Sequence, residues 1–368
     1  MPQNIPTVLC STLDDPEAVL LDNISVAATA IKLDYPNWVV RTTSRTDERV
    51  IGKLKALGVI VVSARDDSTP IVEDQIENDH LLALKHGLSA AQNVKSGVVQ
   101  YMDGDRAIMA AKYFPNDFTR LAEIAQGLGT KHKNLGYLNI RRTQKDFLDH
   151  HPSLTNTEQV FNYWYSQVFG MPIDMGSTTT IMTPDVIEMI LTRSSAPDIE
   201  RVNFPQPLWL IIAKEMGAHI YSDEIQNVLT YEAPEQNRAK ITDADMKSVN
   251  EAQSPAQRYA ILQAIYRSTL GTTGPRGSMS AAEWALRFGT EKIYLQLLHN
   301  HLDSCLADPS KRDEFVRGIE HELQSLETKG EEIRDLLSQP RSETEEIHDA
   351  LERIGNLMVQ PESRTKES

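Results

Sequence analysis

The chain has 368 residues, with 37 Lys and Arg against 52 Asp and Glu, for a net charge of −15. That length holds one large core, or one core with a helical appendage. The acidic balance argues against a nucleic-acid partner, since phosphate binding rests on basic patches, but leaves a nucleotide-sugar open because a divalent cation can supply positive charge locally.

In chain order, the first hundred residues alternate between strands and helices. Thr7 to Ser11 is a short apolar run ending at Asp14-Asp15-Pro16, and Glu17 to Leu33 has helical periodicity. Trp38 to Thr43 reads as a strand and Asp47 to Leu57 as a helix stopped by Gly58. Val59 to Ser63 is a β-branched strand, Glu77 to Gln92 a helix and Gly97 to Met102 a strand. Strands separated by helices of this length predict an α/β fold, with a parallel sheet covered on both faces. In open sheets of that kind ligands bind beyond the carboxyl ends of the strands. Thr12, Thr43-Ser44, Ala64 to Asp67 and Asp103 to Arg106 are thereby placed along one rim.

The middle of the chain predicts helices at Phe118 to Gln126, Glu158 to Phe169, Pro184 to Arg193 and Leu208 to Glu215. Strands are expected at Leu138 to Arg142, Thr178 to Met182 and Ala218 to Tyr221, with Val228 to Tyr231 a candidate to close the sheet. After about residue 240 strand signals stop. Helices are expected at Asp243 to Ala252, Pro255 to Leu270, Ala281 to Asp308, Arg312 to Lys329 and Glu331 to Leu337, with a Gly/Pro loop at Gly271 to Ser278. Phe315, Ile319, Leu323 and Leu326 form an apolar stripe suited to packing within the chain or against a second subunit, as in a homodimer. The expected organisation is a first domain over residues 1–240, an α-helical region over 241–358 and a disordered tail over 359–368.

Cys10 and Cys305 are the two cysteines and form no CxxC, which argues against a disulfide framework or a cysteine-rich zinc site. The histidines show no HExxH spacing. There is no apolar run long enough to cross a bilayer, and the first thirty residues lack the basic start and apolar core of a signal peptide. The expectation is a soluble, cytoplasmic protein.

The stretch Val98-Val99-Gln100-Tyr101-Met102-Asp103-Gly104-Asp105-Arg106 is the most informative. An apolar strand runs into two carboxylates one residue apart, where the chain leaves the pleat and both can turn toward one ligand. Mg²⁺ or Mn²⁺ takes hard oxygen ligands and keeps part of its shell for water and phosphate, so two aspartates and a diphosphate suit it. The bland alternative is a turn whose aspartates cap the next helix.

This order of elements, with a DxD ending the strand near residue 100, resembles the GT-A glycosyltransferases over roughly residues 5 to 235. Asp174 to Thr180, followed by Thr183-Pro184, looks like the acceptor-side segment of that fold. Arg142-Thr143, Phe147, His151-Pro152, Thr157-Glu158 and Asn162, together with Tyr101 to Arg106, resemble a narrower bacterial and archaeal group of GT-A-like proteins. The resemblance implies a Rossmann-type mixed sheet flanked by helices. It also implies an enzyme that moves a sugar from a UDP- or GDP-sugar to an acceptor, with Asp103 and Asp105 on the metal and diphosphate. Two departures stand out. Many inverting members carry a carboxylate before the buried helix, where this chain has Asn203-Phe204-Pro205-Gln206-Pro207. Many also carry a histidine after the last core strand, and none follows Val228 to Tyr231. The missing base fits a retaining enzyme and the missing histidine weakens the case for a metal, while both fit a degenerate scaffold that binds a nucleotide-sugar or an assembly partner without turnover.

Three further residues are candidates beside the transferred sugar. Arg106 is suited to pairing a phosphate bidentately or to pairing with the aspartates. His151 and Glu158 fit sugar contacts, or equally a loop pinned by His151-Pro152 and a glutamate near a helix N-terminus. Asp66 and Asp67 fit contacts to the base, or a solvated turn. Asp79-His80 fit a sugar contact or a solvated helix face. A nucleotidyltransferase is disfavoured because Ser11 to Asp15 carries no glycine, arginine or lysine. A DxD phosphatase is disfavoured because its nucleophile belongs on the first strand.

Overall fold

A computed structural model describes residues 7–64, 75–131, 135–148, 152–194, 206–229 and 281–338. The chain divides into two units, each described by itself. One takes Met1–Asp149, Asn162–Thr230 and Asn300–Arg312, and the other His150–Phe161, Tyr231–His299 and Asp313–Ser368.

The first unit is built on a seven-stranded sheet: β1 (Thr7–Leu13), β2 (Asn37–Thr42), β3 (Ile60–Ser63), β4 (Val98–Met102), β5 (Leu135–Arg142), β6 (Thr179–Met182) and β7 (His219–Ile225). Its order is β3-β2-β1-β4-β6-β5-β7. Strands β1 to β4 run parallel to their neighbours, β6 lies antiparallel to both β4 and β5, and β7 is parallel to β5. The sheet is therefore mixed, and its helices flank it, as a GT-A-like α/β fold requires. Every residue of β1 and β4 is buried, which explains why both read as continuous rather than alternating apolar runs.

The connecting helices are α1 (Leu21–Asp34), α2 (Glu48–Ala56), α3 (Gln75–Val94), α4 (Gly104–Tyr113), α5 (Pro115–Lys131), α6 (Gln144–Leu148), α7 (Pro152–Phe169), α8 (Pro184–Arg193) and α9 (Gln206–Glu215). Helices α1, α4 and α5 pack on one another, while α3 packs on α8 and α8 on α9. Helix α2 begins at Asp47, whose side chain accepts from the Arg49 N–H. It ends at Gly58, whose φ of 70° suits a residue without Cβ. Helix α3 lies so close to the sheet that a Cβ on Gly87 would stand 2.8 Å from Cys10 Cβ.

Two sequence expectations need correction in this unit. Val228 and Leu229 are buried in a turn rather than a strand, so β7 is the last strand among the described residues. The helix expected over Ala281 to Asp308 is broken. Helix α10 (Ala281–Asn300) stops, His301 takes a non-helical φ of −109°, and a short α11 (Leu302–Cys305) follows. The break has a local cause. Glu215 at the end of α9 sits 2.7 Å from His301 Nδ1 and accepts from the Ser304 hydroxyl at 3.0 Å, pinning the turn.

In the second unit the two helices expected after residue 312 are one, α12 (Arg312–Ser338). Of the predicted stripe, Phe315, Ile319 and Leu326 are buried and Leu323 is half-buried. Lys292 pairs with Glu327 at 3.1 Å and His299 faces Glu320 at 3.6 Å, so the stripe lies along α10, with Tyr294, Leu295 and Leu298 buried there. The helices expected at Asp243 to Ala252 and Pro255 to Leu270, the Gly271 to Ser278 loop and the tail over 359–368 lie outside the described residues. Among the described residues no helix is long and apolar enough to cross a membrane.

Candidate functional site

Strand β1 connects to β2 and β3 on one side, while β4 lies on its other side, so the sheet reverses its order between β1 and β4. The crevice outside the carboxyl ends of two such strands is where ligands bind in open α/β sheets. Thr12 at the end of β1 and Asp103 just past β4 sit there.

Asp103 is half-buried and is the residue from which α4 starts, with an extended backbone (φ −56°, ψ 139°). The Tyr101 hydroxyl donates to Asp103 Oδ1 at 2.9 Å and shares a hydrogen bond with Thr12 Oγ1 at 3.1 Å. Tyr101 is itself fixed from two sides. Trp209 of α9 meets it edge-on with ring centroids 5.2 Å apart, and His80 of α3 lies against it at 5.7 Å. His80 Nε2 stands 3.9 Å from Asp103 Oδ1, an ion pair when the imidazole is protonated. Burial pushes the Asp103 carboxyl above the ordinary aspartate range. The His80 charge opposes that shift, and neighbouring Asp105 reinforces it. Burial likewise pushes the Tyr101 phenol up.

Asp105 lies in the first turn of α4, where its Oδ1 accepts from the Arg106 N–H at 2.9 Å. Arg106 reaches across to the turn after β7, its Nη1 donating to the Leu229 carbonyl at 3.2 Å. Thr43 is buried, and its hydroxyl donates to Asp14 Oδ1 at 2.6 Å. Asp14 also pairs with Arg45, and Asp15 accepts from the Val19 and Leu20 N–H groups at 2.8 and 3.0 Å. The loop after β1 is thus held by its own acidic residues, which explains Asp14-Asp15 where a phosphate loop would carry glycine.

The structure brings Thr12, Asp103, Asp105 and Arg106 to one rim. Asp66, Asp67 and His151 lie outside the described residues. Glu158 is buried and belongs to the second unit. The solvated-face reading of Asp79-His80 is corrected, since both are buried. Arg41 of β2 donates through Nε to Asp79 Oδ1 at 2.8 Å, both side chains being almost fully covered, and this ion pair draws the polar start of α3 onto the sheet. His80 follows it into contact with Asp103. Sequence reasoning missed that contact because its cause, Arg41, is 38 residues away.

A second polar cluster surrounds Arg142 and Asp174. Arg142 grips Asp174 through Nε at 2.7 Å and Nη2 at 2.5 Å, and its backbone N–H adds a third bond at 3.0 Å. Asn162 donates to the same carboxylate at 3.0 Å and accepts from the Met175 N–H at 2.8 Å. Asn139 exchanges two bonds with the Asp174 backbone, at 3.0 and 2.9 Å. Phe147 covers the guanidinium, with its ring centroid 4.8 Å from the central carbon. Burial alone would raise the Asp174 carboxyl, but the Arg142 charge and these bonds hold it below the ordinary range. Arg142, Phe147 and Asn162, singled out together in the sequence, thus anchor the turn over residues 174–178.

Among the described residues no group of three or more His, Cys, Asp and Glu side chains comes together to hold a metal ion. A full protein cage is not what the rim offers. Its donors are two hard carboxylates, a set that suits Mg²⁺ or Mn²⁺ completed by water and phosphate oxygens.

No family model matches the chain, and no curated protein matches it. Among solved structures it is similar to the glucosyl-3-phosphoglycerate synthase from Mycobacterium tuberculosis in complex with Mn²⁺, UDP-glucose and phosphoglyceric acid. That likeness has 12% identity over 70% of this chain and 80% of that one, with a TM-score of 0.40. The same protein with Mn²⁺, UDP and phosphoglyceric acid matches at 12% identity over 60% and 69%, TM-score 0.39. With Mg²⁺ and UDP it matches at 11% over 60% and 70%, TM-score 0.35. At such identities and TM-scores the likeness carries no argument about the site, which rests on the residues of this chain.

Proposed function

We propose that the chain is a glycosyltransferase that takes a sugar from a nucleoside-diphosphate-sugar, with Asp103 and Asp105 holding Mn²⁺ or Mg²⁺ and the diphosphate. The observation that carries this reading is the position of the carboxylate pair: past the carboxyl end of β4, at the point where the sheet reverses its order. A bound divalent cation would supply charge stabilisation for the departing nucleoside diphosphate.

The chain's own residues prepare that site. The Tyr101 hydroxyl, placed beside Thr12, fixes one oxygen of Asp103. Asp105 starts α4, whose first N–H groups favour an anion at the rim. Arg106 is held at the rim by the Leu229 carbonyl, and its guanidinium is of the kind that pairs a phosphate. Asn203-Phe204-Pro205-Gln206-Pro207 offers no carboxylate as a base on the acceptor hydroxyl, which fits a retaining reaction.

The test is a thermal-shift panel of UDP-, GDP-, ADP- and dTDP-sugars with and without Mn²⁺, UDP-glucose with phosphoglyceric acid included. Saturating ligand raises apparent stability by about 2.7 kcal/mol at a hundred times its dissociation constant. The expected result is a metal-dependent shift with one nucleotide, lost in Asp105→Ala while the melting temperature without ligand stays near wild type. A large loss of stability with nucleotide binding intact would show the pair to be structural. A shift without release of free nucleoside diphosphate would favour the degenerate scaffold.

A further inference from the structure

The turn after β7 is fixed by three helices of the first unit. Asn227 takes a left-handed backbone, φ 61°, which asparagine tolerates better than most side chains. Its N–H donates to Asp146 Oδ2 at 2.8 Å, and its side-chain amide donates to Asp117 Oδ2 at 3.1 Å. Both carboxylates stand in the first turns of their helices, Asp117 in α5 and Asp146 in α6. Asp146 is buried, and its own N–H donates to the Thr143 hydroxyl at 3.1 Å. The Val228 N–H closes the turn on the Gln226 carbonyl at 2.8 Å, and the Val228 and Leu229 side chains are buried. The turn so fixed offers the Leu229 carbonyl to Arg106 Nη1 at 3.2 Å. Arg106 follows Asp105 in the first turn of α4. The bond therefore ties the turn to the helix start beside the carboxylate pair, not to the body of the helix.

We infer that Asn227 is a positioning residue for Arg106, and through it for the diphosphate. A guanidinium holds its donors in one rigid plane, so seating one nitrogen on a fixed carbonyl restricts the direction of the whole fork. A fork set in advance loses less conformational entropy when a phosphate arrives. The Leu229 carbonyl is fixed only as far as its turn is, and Asn227 ties that turn to two helices. The inference rests on the donor-site reading of Asp103, Asp105 and Arg106 proposed above, and extends that site to the strand at the end of the sheet, β7.

The test is calorimetric titration of the full chain, in the presence of Mn²⁺, with UDP, GDP, ADP and dTDP in turn. Asn227→Gly keeps the left-handed backbone and the N–H to Asp146 while removing the bond to Asp117. It is expected to weaken binding of the diphosphate that the wild type takes by about tenfold, the contribution of roughly one hydrogen bond. Asp117→Ala removes the same bond from the other side and should match it. Asp117→Asn keeps an acceptor and should bind as the wild type does. Arg106→Met should weaken binding by itself and cancel the effect of Asn227→Gly in the double variant. A general loss of stability would not produce that cancellation. Unchanged affinity in Asn227→Gly and Asp117→Ala, or an equal further loss beside Arg106→Met, would overturn the inference and leave the donor site standing. No binding of any of the four diphosphates by the wild type would overturn the donor-site reading, and this inference with it.

Discussion

Two aspartates of the first unit, the half-buried Asp103 and the buried Asp174, are treated oppositely by their surroundings. Asp174 has a bidentate arginine, a backbone N–H and an asparagine amide, and its carboxyl is held below the ordinary range. Asp103 has one tyrosine hydroxyl and a histidine at 3.9 Å, with a second carboxylate two residues on, and its carboxyl is pushed up. A carboxylate whose charge the chain satisfies is part of the scaffold. One left short of positive charge is, on the function proposed above, the one that takes a cation from outside. The contrast says more about function than either residue alone, because it is in their partners that the two carboxylates differ most.

The largest effect expected from this contrast is at the Arg142–Asp174 pair. Arg142→Leu leaves a buried carboxylate without its cation and is expected to cost about 3–5 kcal/mol, read by urea or thermal unfolding. The same pair gives a pH dependence. A carboxyl depressed in the folded state contributes stability above the ordinary aspartate value near 4, and that contribution is lost as pH falls through the folded value. Arg142→Leu should therefore flatten the acid limb of stability against pH. Retention of the wild-type acid limb would show that Asp174 is satisfied by something other than Arg142.

Asp103→Asn should move the other way. Removing a charge that burial disfavours is expected to leave stability unchanged or raise it by about 1 kcal/mol, while the Mn²⁺-dependent nucleotide shift disappears. A loss of several kcal/mol would mean that Asp103 is as much a scaffold residue as Asp174, and the contrast would fail. The smallest effect is at Tyr101→Phe, which removes one hydrogen-bond donor and is expected to cost about 1 kcal/mol. Its diagnostic value is that metal affinity should fall with it, because Tyr101 orients Asp103.

Much of this fold was legible because its signals are local. Helices α2 and α8 carry Asp47, Gly58 and Pro184 at their ends, and β1 and β4 are uninterrupted apolar runs. Helix α4 was not separated from the turn before it, because Gly104 and Asp105 look like turn residues while also starting a helix. The break at His301 depends on Glu215, 86 residues away, and no local propensity records it. The carboxylate pair at the rim was legible because strand and DxD adjoin. Its braces were not. His80 is drawn in by Arg41, and the edge of β4 is closed by an antiparallel strand, β6, whose direction no helical or strand period encodes.

That strand also bears on the order in which the molecule can assemble. Strand β5 pairs only with β6 and β7, both made after it, and β4 reaches β5 only through β6. As the chain is synthesised, residues 135–142 therefore have no sheet to join until Thr179–Met182 has emerged, and β4 presents an open edge meanwhile. A four-stranded parallel piece can form early, but the other half must wait for four residues to slot between two waiting strands. The rim that holds Asp103 is finished by that same insertion, so the site and the second half of the sheet come into being together.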